Sequence, residues 1–114
     1  MNGSLDLIQG TLDTLILKAL SWGPMHGYQV STWIQAASGK ELQIEEGTLY
    51  PALHRMEERG LVEAEWGLSE NNRRAKFYRL TREGRENLQD KTVVWERYAR
   101  AVERILAAAR PGAV

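Results

Sequence analysis

Asn71, Asn72, Arg73, Arg74 and Lys76 crowd amide and cationic donors into six consecutive positions. Donors that dense suit oxyanions, and a guanidinium on a short loop suits the negative potential of a narrow minor groove. A second group, Thr48, Tyr50, His54 and Arg55, lies off an apolar stripe formed by Leu49, Leu53 and Met56. Arginine is the commonest reader of guanine edges, and a threonine methyl can touch that of thymine. Both groups also have plainer readings. Asparagine favours turns, and every amphipathic helix has a polar outer face.

Catalytic chemistry is poorly served. His26 and His54 lie 28 positions apart with no carboxylate spacing that suits metal or acid–base work, and Thr11, Ser21 and Ser38 have no activating partner. The glycines punctuate turns and form no phosphate loop. With no cysteine there is no disulfide, thiolate metal site or thiol nucleophile. The expectation is a protein that is not an enzyme and has no metal or other cofactor. A cytoplasmic location is expected too: the lack of cysteine fits a reducing compartment, the first ten residues do not read as a secretory signal, and no apolar run nears the ~18 residues of a membrane span.

The chain has 114 residues, 43% apolar and 26% charged, with 15 basic and 15 acidic side chains. Zero net charge argues against a polyanion as partner, but the charges are unevenly spread. Residues 68–82 carry Arg73, Arg74, Lys76, Arg79 and Arg82 against Glu70 alone, a local charge of +4. Residues 41–65 carry seven glutamates against Arg55 and Arg59, a local charge of −5. A basic strip beside an acidic body steers an anion to one face; a solvated charge run on a hairpin would look the same.

Hydrophobic spacing predicts the elements that position these groups. Thr11–Ser21 carries Leu12, Leu15, Ile16, Ala19 and Leu20 at helical intervals, ended by Trp22-Gly23-Pro24. A second helix is expected over His26–Ser38, with Val30, Ile34 and Ala37 inward, and a third over Glu46–Arg59, stopped by Gly60. Pro51 must sit near the first turn of that third helix or kink it. Leu61–Trp66 and Lys76–Leu80 read as two strands joined by a polar loop, Gly67–Ala75. Thr81 can cap a last helix reaching about Ala109. The fold class is therefore mostly α with a small β-hairpin: a winged helix-turn-helix over residues 1–81 and a long C-terminal helix over 82–110. The third helix is the candidate for a major groove.

Leu88, Trp95, Val102 and Ala109 recur every seven residues along the last helix, and Tyr98 and Ile105 broaden the stripe. So long a stripe exceeds what a small body can cover, so a second copy is the expected partner, with Leu88, Trp95, Tyr98, Val102 and Ile105 at the interface. Two Trp95 indoles near a dimer axis would accept a small planar aromatic effector, although aromatic residues in helical stripes usually only pack.

Longer stretches carry a resemblance. LDTLILKALSWGPMHG (Leu12–Gly27), EEGTLYPALHRMEERG (Glu45–Gly60), LVEAEWG (Leu61–Gly67) and NRRAKFYRLTREG (Asn72–Gly84) resemble the PadR family of transcriptional regulators, in its short form with a single C-terminal helix. The resemblance spans about residues 5–106. It implies a dimeric winged-helix repressor of double-stranded DNA acting on a palindromic operator, with Thr48, Tyr50, Pro51, His54 and Arg55 on the recognition helix. Asn72, Arg73, Arg74 and Lys76 would lie on the wing, and Tyr28 near the DNA backbone. It also puts Trp95 on the dimerisation helix, where some relatives accept aromatic ligands; effector sites in the larger C-terminal domain of longer relatives do not carry over. The alternative is a winged-helix interaction module that no longer binds DNA.

Overall fold

The computed structural model describes residues 5–8 and 10–112. Residues 1–4 and Gln9 of the expected N-terminal domain lie outside the described residues. The order is α1 (Leu12–Leu20), β1 (Met25–His26), α2 (Gly27–Ala37), α3 (Glu46–Glu58), β2 (Val62–Leu68), β3 (Arg74–Leu80) and α4 (Arg82–Ala107). All expected helices and both hairpin strands are present. The sheet has a third strand that the sequence reading lacked, β1, in an antiparallel order β1-β3-β2. Only Met25 and His26 take part, opposite Tyr78 and Phe77.

The core sits where α1, α2 and α3 meet the base of the hairpin. Ile16, Leu17, Val30, Leu49, Leu53 and Met56 are almost wholly enclosed, joined by Val62, Tyr78 and Leu80. Val30 and Ile34 face inward as expected; Ala37, at the end of α2, is exposed. Pro51 lies in the second turn of α3 rather than the first. Its ring removes the donor that Gly47 would otherwise receive, and both residues are on the exposed side of the helix.

Four chain segments converge at the root of the hairpin. Gly60 adopts a left-handed φ of 76°, and the amides of Gly60 and Leu61 turn back to the carbonyls of Glu57 (3.0 Å) and Met56 (2.9 Å), closing α3 in a Schellman motif. Thr81 ties the other end of the hairpin to this turn. Its hydroxyl donates to the Gly60 carbonyl (2.7 Å) and accepts from the Gly84 amide (3.0 Å), capping α4, while its own amide donates to the Leu61 carbonyl (3.1 Å). Gly84 is buried against this turn, and any Cβ there would collide with the Leu61 carbonyl oxygen.

From that root α4 runs past α1 and beyond the body. At 26 residues it is about 39 Å long. The radius of gyration is 17.2 Å, where a compact chain of this length would have about 13 Å. Leu88 packs against the core of its own chain. Farther out the stripe is open: Tyr98, Ile105 and Leu106 are 61%, 73% and 80% exposed. Val93 and Val94, absent from the expected stripe, are exposed as well.

Gly84→Ala is expected to lower unfolding stability by about 3 kcal/mol, the upper range for overpacking, because backbone meets backbone and neither can rotate away. Urea unfolding of the variant beside the parent checks this. An unchanged midpoint would mean that the root of α4 has slack.

Candidate nucleic-acid interface

The capping of α2 fixes the first wall of the site. His26 is buried, and its Nδ1 accepts from the Gln29 amide (3.3 Å) while the Gln29 side-chain oxygen accepts from the His26 amide (3.0 Å). This reciprocal cap starts α2 so that Tyr28, two residues on, stands 69% exposed at the helix entrance. Tyr50 of α3 lies across Gly27, where a Cβ would come within 2.5 Å of its hydroxyl oxygen. Gly27 therefore lets α2 and α3 close around a flat phenol. Burial, and next the Glu46 carboxylate, push the Tyr50 hydroxyl above its usual range, so it remains a donor at neutral pH.

The outer side of α3 carries Thr48, Tyr50, Pro51, His54 and Arg55, all exposed. Some of these side chains have neighbours in the chain. His54 Nε2 is 3.6 Å from Glu58, and Arg55 and Arg59 lie 4.0 and 3.9 Å from Asp13 of α1. Asp13 thus lies within loose ion-pair reach of both arginines, which remain exposed.

The wing is longer and its loop shorter than the sequence suggested: only residues 69–73 separate β2 from β3. The Asn72 amide donates to the Ser69 carbonyl (2.8 Å), the Ser69 amide to the Arg73 carbonyl (2.8 Å), and Asn72 takes a left-handed φ of 60°. A turn followed by a left-handed residue is a standard hairpin closure, so Asn72 has a backbone role here. Side chains of Val62, Ala64, Trp66 and Leu68 alternate onto one face of β2. Register sets Trp66 opposite Lys76 and Leu68 opposite Arg74, which turns Trp66, Lys76 and Arg74 toward α3.

Ion pairing reorders the basic strip. Lys76 Nζ is 3.1 Å from Glu57 of α3, Arg79 is 3.3 Å from Glu63, and Arg82 is 3.6 Å from Glu86. The hydrogen bond that Lys76 donates to Glu57 raises the Lys76 pKa. Its stabilising effect is therefore complete below the ordinary lysine range and lost only as pH climbs through the raised value, so at neutral pH the link is intact. Lys76, expected among the donors to an outside anion, ties the wing to α3 instead. Among the described residues, Arg73 and Arg74 are the two wing cations with no acidic partner.

Start of α2, face of α3 and inner side of the wing enclose a concavity of about 490 Å³, whose walls include Tyr28, Tyr50, Trp66, Glu70, Arg74 and Lys76. Trp66, Glu70, His26 and Gln29 belong to this site and were not singled out from sequence. Glu70 reaches back from the wing tip, accepting from the Gln29 side-chain Nε2 (3.4 Å) and lying 3.8 Å from His26 Nε2. The alternation of β2 could have revealed Trp66; nothing local reveals the contacts of Glu70. Among the described residues no cluster of His, Asp or Glu could hold a metal ion, and no helix is long and apolar enough to cross a membrane.

A second, larger groove of about 740 Å³ lies away from this face, between the segment 5–8, α1 and α4. Leu5, Ile8, Thr14, Val94, Trp95 and Tyr98 line it. The Trp95 and Tyr98 rings are 6.4 Å apart and tilted by 36°, and Trp95 is 40% exposed.

Residues 16–90 match the family described as the transcriptional regulator PadR-like family. An uncharacterized protein X of Lysinibacillus sphaericus is 32% identical over 90 residues, covering 79% of this chain and 83% of its own. A solved transcriptional regulator from Clostridium thermocellum superposes with a TM-score of 0.76 at 32% identity, covering 84% of this chain and 93% of that one. Bacillus subtilis PadR, solved in complex with operator DNA, shares the fold at a TM-score of 0.63 and 21% identity, over 90% of this chain and 50% of that one. The four helices, the three-stranded antiparallel sheet and the match across two thirds of the sequence agree: this chain belongs to the PadR-like family of transcriptional regulators.

Proposed function

We propose that the chain is a sequence-specific, cytoplasmic repressor that binds duplex DNA as a homodimer. Residues 1–81 are its winged helix-turn-helix and 82–110 its dimerisation helix. The observation that carries the reading is the concave face on which Tyr28, Tyr50 and Arg74 meet, with Arg73 beside them at the wing tip. Hydroxyl and guanidinium donors set around a concavity suit a phosphate backbone. In this reading Thr48, Pro51, His54 and Arg55 on α3 enter the major groove, and Arg73 and Arg74 approach the flanking minor groove. Asn72 shapes the tip and Lys76 holds the wing at its angle to α3. The operator complex of the B. subtilis protein supports the reading through the shared fold alone.

The dimer reading rests on α4. Trp95, Tyr98, Val102 and Ile105 continue a stripe that Leu88 begins on the chain's own core, and a groove edged by Leu5 and Ile8 runs beside it. A second α4, related by a two-fold axis, would cover the stripe and the groove edge together. Two heads so related read a palindrome with half-sites about 34–36 Å apart or a multiple of that. The Trp95 and Tyr98 rings give the groove the chemistry to accept a small planar aromatic effector, whose seating would alter the spacing of the heads.

Three measurements test these readings. A salt titration against the DNA upstream of the protein's own gene is expected to show tighter binding than a random duplex, with log K falling linearly in log salt. Equal, weak binding to both at every salt concentration would favour an interaction module, a reading that the glutamates paired with wing cations keep in view. Ile105→Glu should convert a sedimenting dimer into monomer and weaken operator binding; a variant that stays dimeric relocates the interface. Planar aromatics should quench tryptophan emission in the parent and not in Trp95→Ala. Quenching that survives the substitution would put the ligand elsewhere.

A further inference from the structure

The other two β3 cations and the first residue of α4 are each held by a carboxylate: Lys76 by Glu57, Arg79 by Glu63, Arg82 by Glu86. Arg74 is held differently. Its guanidinium carbon sits 4.7 Å from the centre of the Trp66 ring, within the range of a cation–π contact. The register explains why the two meet. Leu68 faces Arg74 and Trp66 faces Lys76, so Trp66 and Arg74 are diagonal neighbours on one side of the hairpin, within reach for long side chains. That side is the one turned to α3, and both residues line the concavity there.

Trp66 is 57% exposed. An indole so placed adds little to the core, and its cost in exposed apolar surface calls for another use. A carboxylate that ordered Arg74 would also cancel its charge toward a phosphate. An aromatic face orders a guanidinium without cancelling it. Neighbouring Arg73, with no acidic partner among the described residues, has no such support.

We propose that Trp66 is the positioning residue for Arg74 in DNA recognition, an inference that rests on the duplex-binding reading above. The ring restricts the arginine before DNA arrives, so less side-chain freedom is lost on binding, while the full positive charge remains available to the backbone or the minor groove.

The test is a double-mutant cycle on duplex affinity across salt concentrations, with Trp66→Ala, Trp66→Phe, Arg74→Ala and Trp66→Ala/Arg74→Ala. Trp66→Ala is expected to weaken binding about two- to fivefold per half-site and to leave the salt slope unchanged, because no charge is lost. Arg74→Ala should flatten the slope by about 0.9 per protomer, about 1.8 for the dimer. Trp66→Phe should restore most of the affinity, and Trp66→Ala should cost nothing further once Arg74 is gone. Without DNA, the Arg74 Hδ protons should resonate upfield in the parent, shifted by the indole ring current, and return to ordinary values in Trp66→Ala. Additive losses in the cycle, or Hδ protons at ordinary positions in the parent, would overturn the positioning role. A parent that binds no duplex in the same titration would overturn the duplex reading itself, and that result is visible before any variant is compared.

Discussion

The turn at Gly60-Leu61 is the constraint on which the other parts depend. It ends α3, starts β2, receives both the hydroxyl and the amide of Thr81, and leaves room for α4 only because residue 84 lacks a Cβ. Recognition helix, wing and C-terminal helix therefore share one anchor a few residues wide. The bonds are short-range and individually modest, about 1 kcal/mol each. They act on backbone that cannot adjust independently, so the angle between helix and wing is set before any side chain on the interface is chosen. The Lys76–Glu57 pair then holds the same angle farther out along the hairpin.

A chain with no net charge can still present a cationic surface, because several of its carboxylates are engaged within the chain. Asp13 lies near Arg55 and Arg59, Glu57 takes Lys76, and Glu63 takes Arg79. Counting charge along the sequence overstates the number of cations offered by the strip 68–82. The geometry leaves Arg73 and Arg74 at the wing tip, and Arg74 shares a concave wall with Tyr28 and Tyr50, where Glu70 is drawn back toward His26 and Gln29.

The order of helices and strands was legible because it depends on local pattern. Leu49, Leu53 and Met56 announce the buried side of α3 at helical spacing, and Thr81 announces the start of α4 by its position before a charged first turn. β1 was not legible: two residues cannot show a period, and its existence depends on Tyr78 and Phe77 arriving from 53 and 51 positions away. The role of Lys76 was missed for the same reason, since Glu57 belongs to a different element. For Asn72 the sequence leaves a donor and a turn residue as alternatives, and its left-handed backbone gives it the turn function. Long-range pairings set the fine structure of the site, and a single sequence does not encode them in any local pattern.

The projection of α4 turns the Thr81 anchor into a pivot. A rod about 39 Å long that tilts by about 5° at its root carries its far end sideways by about 3.4 Å, the rise of one base-pair step. Whatever fills the groove beside Trp95 and Tyr98 lies about a third to three fifths of the way along that rod, where a small wedge has leverage over both ends. A displacement too slight to disturb the core would thus be enough to shift two reading heads out of phase with a fixed operator. In the proposed dimer the long, sparsely supported helix would act as a lever that turns a seating shift of roughly 1–2 Å into a displacement of one base-pair step.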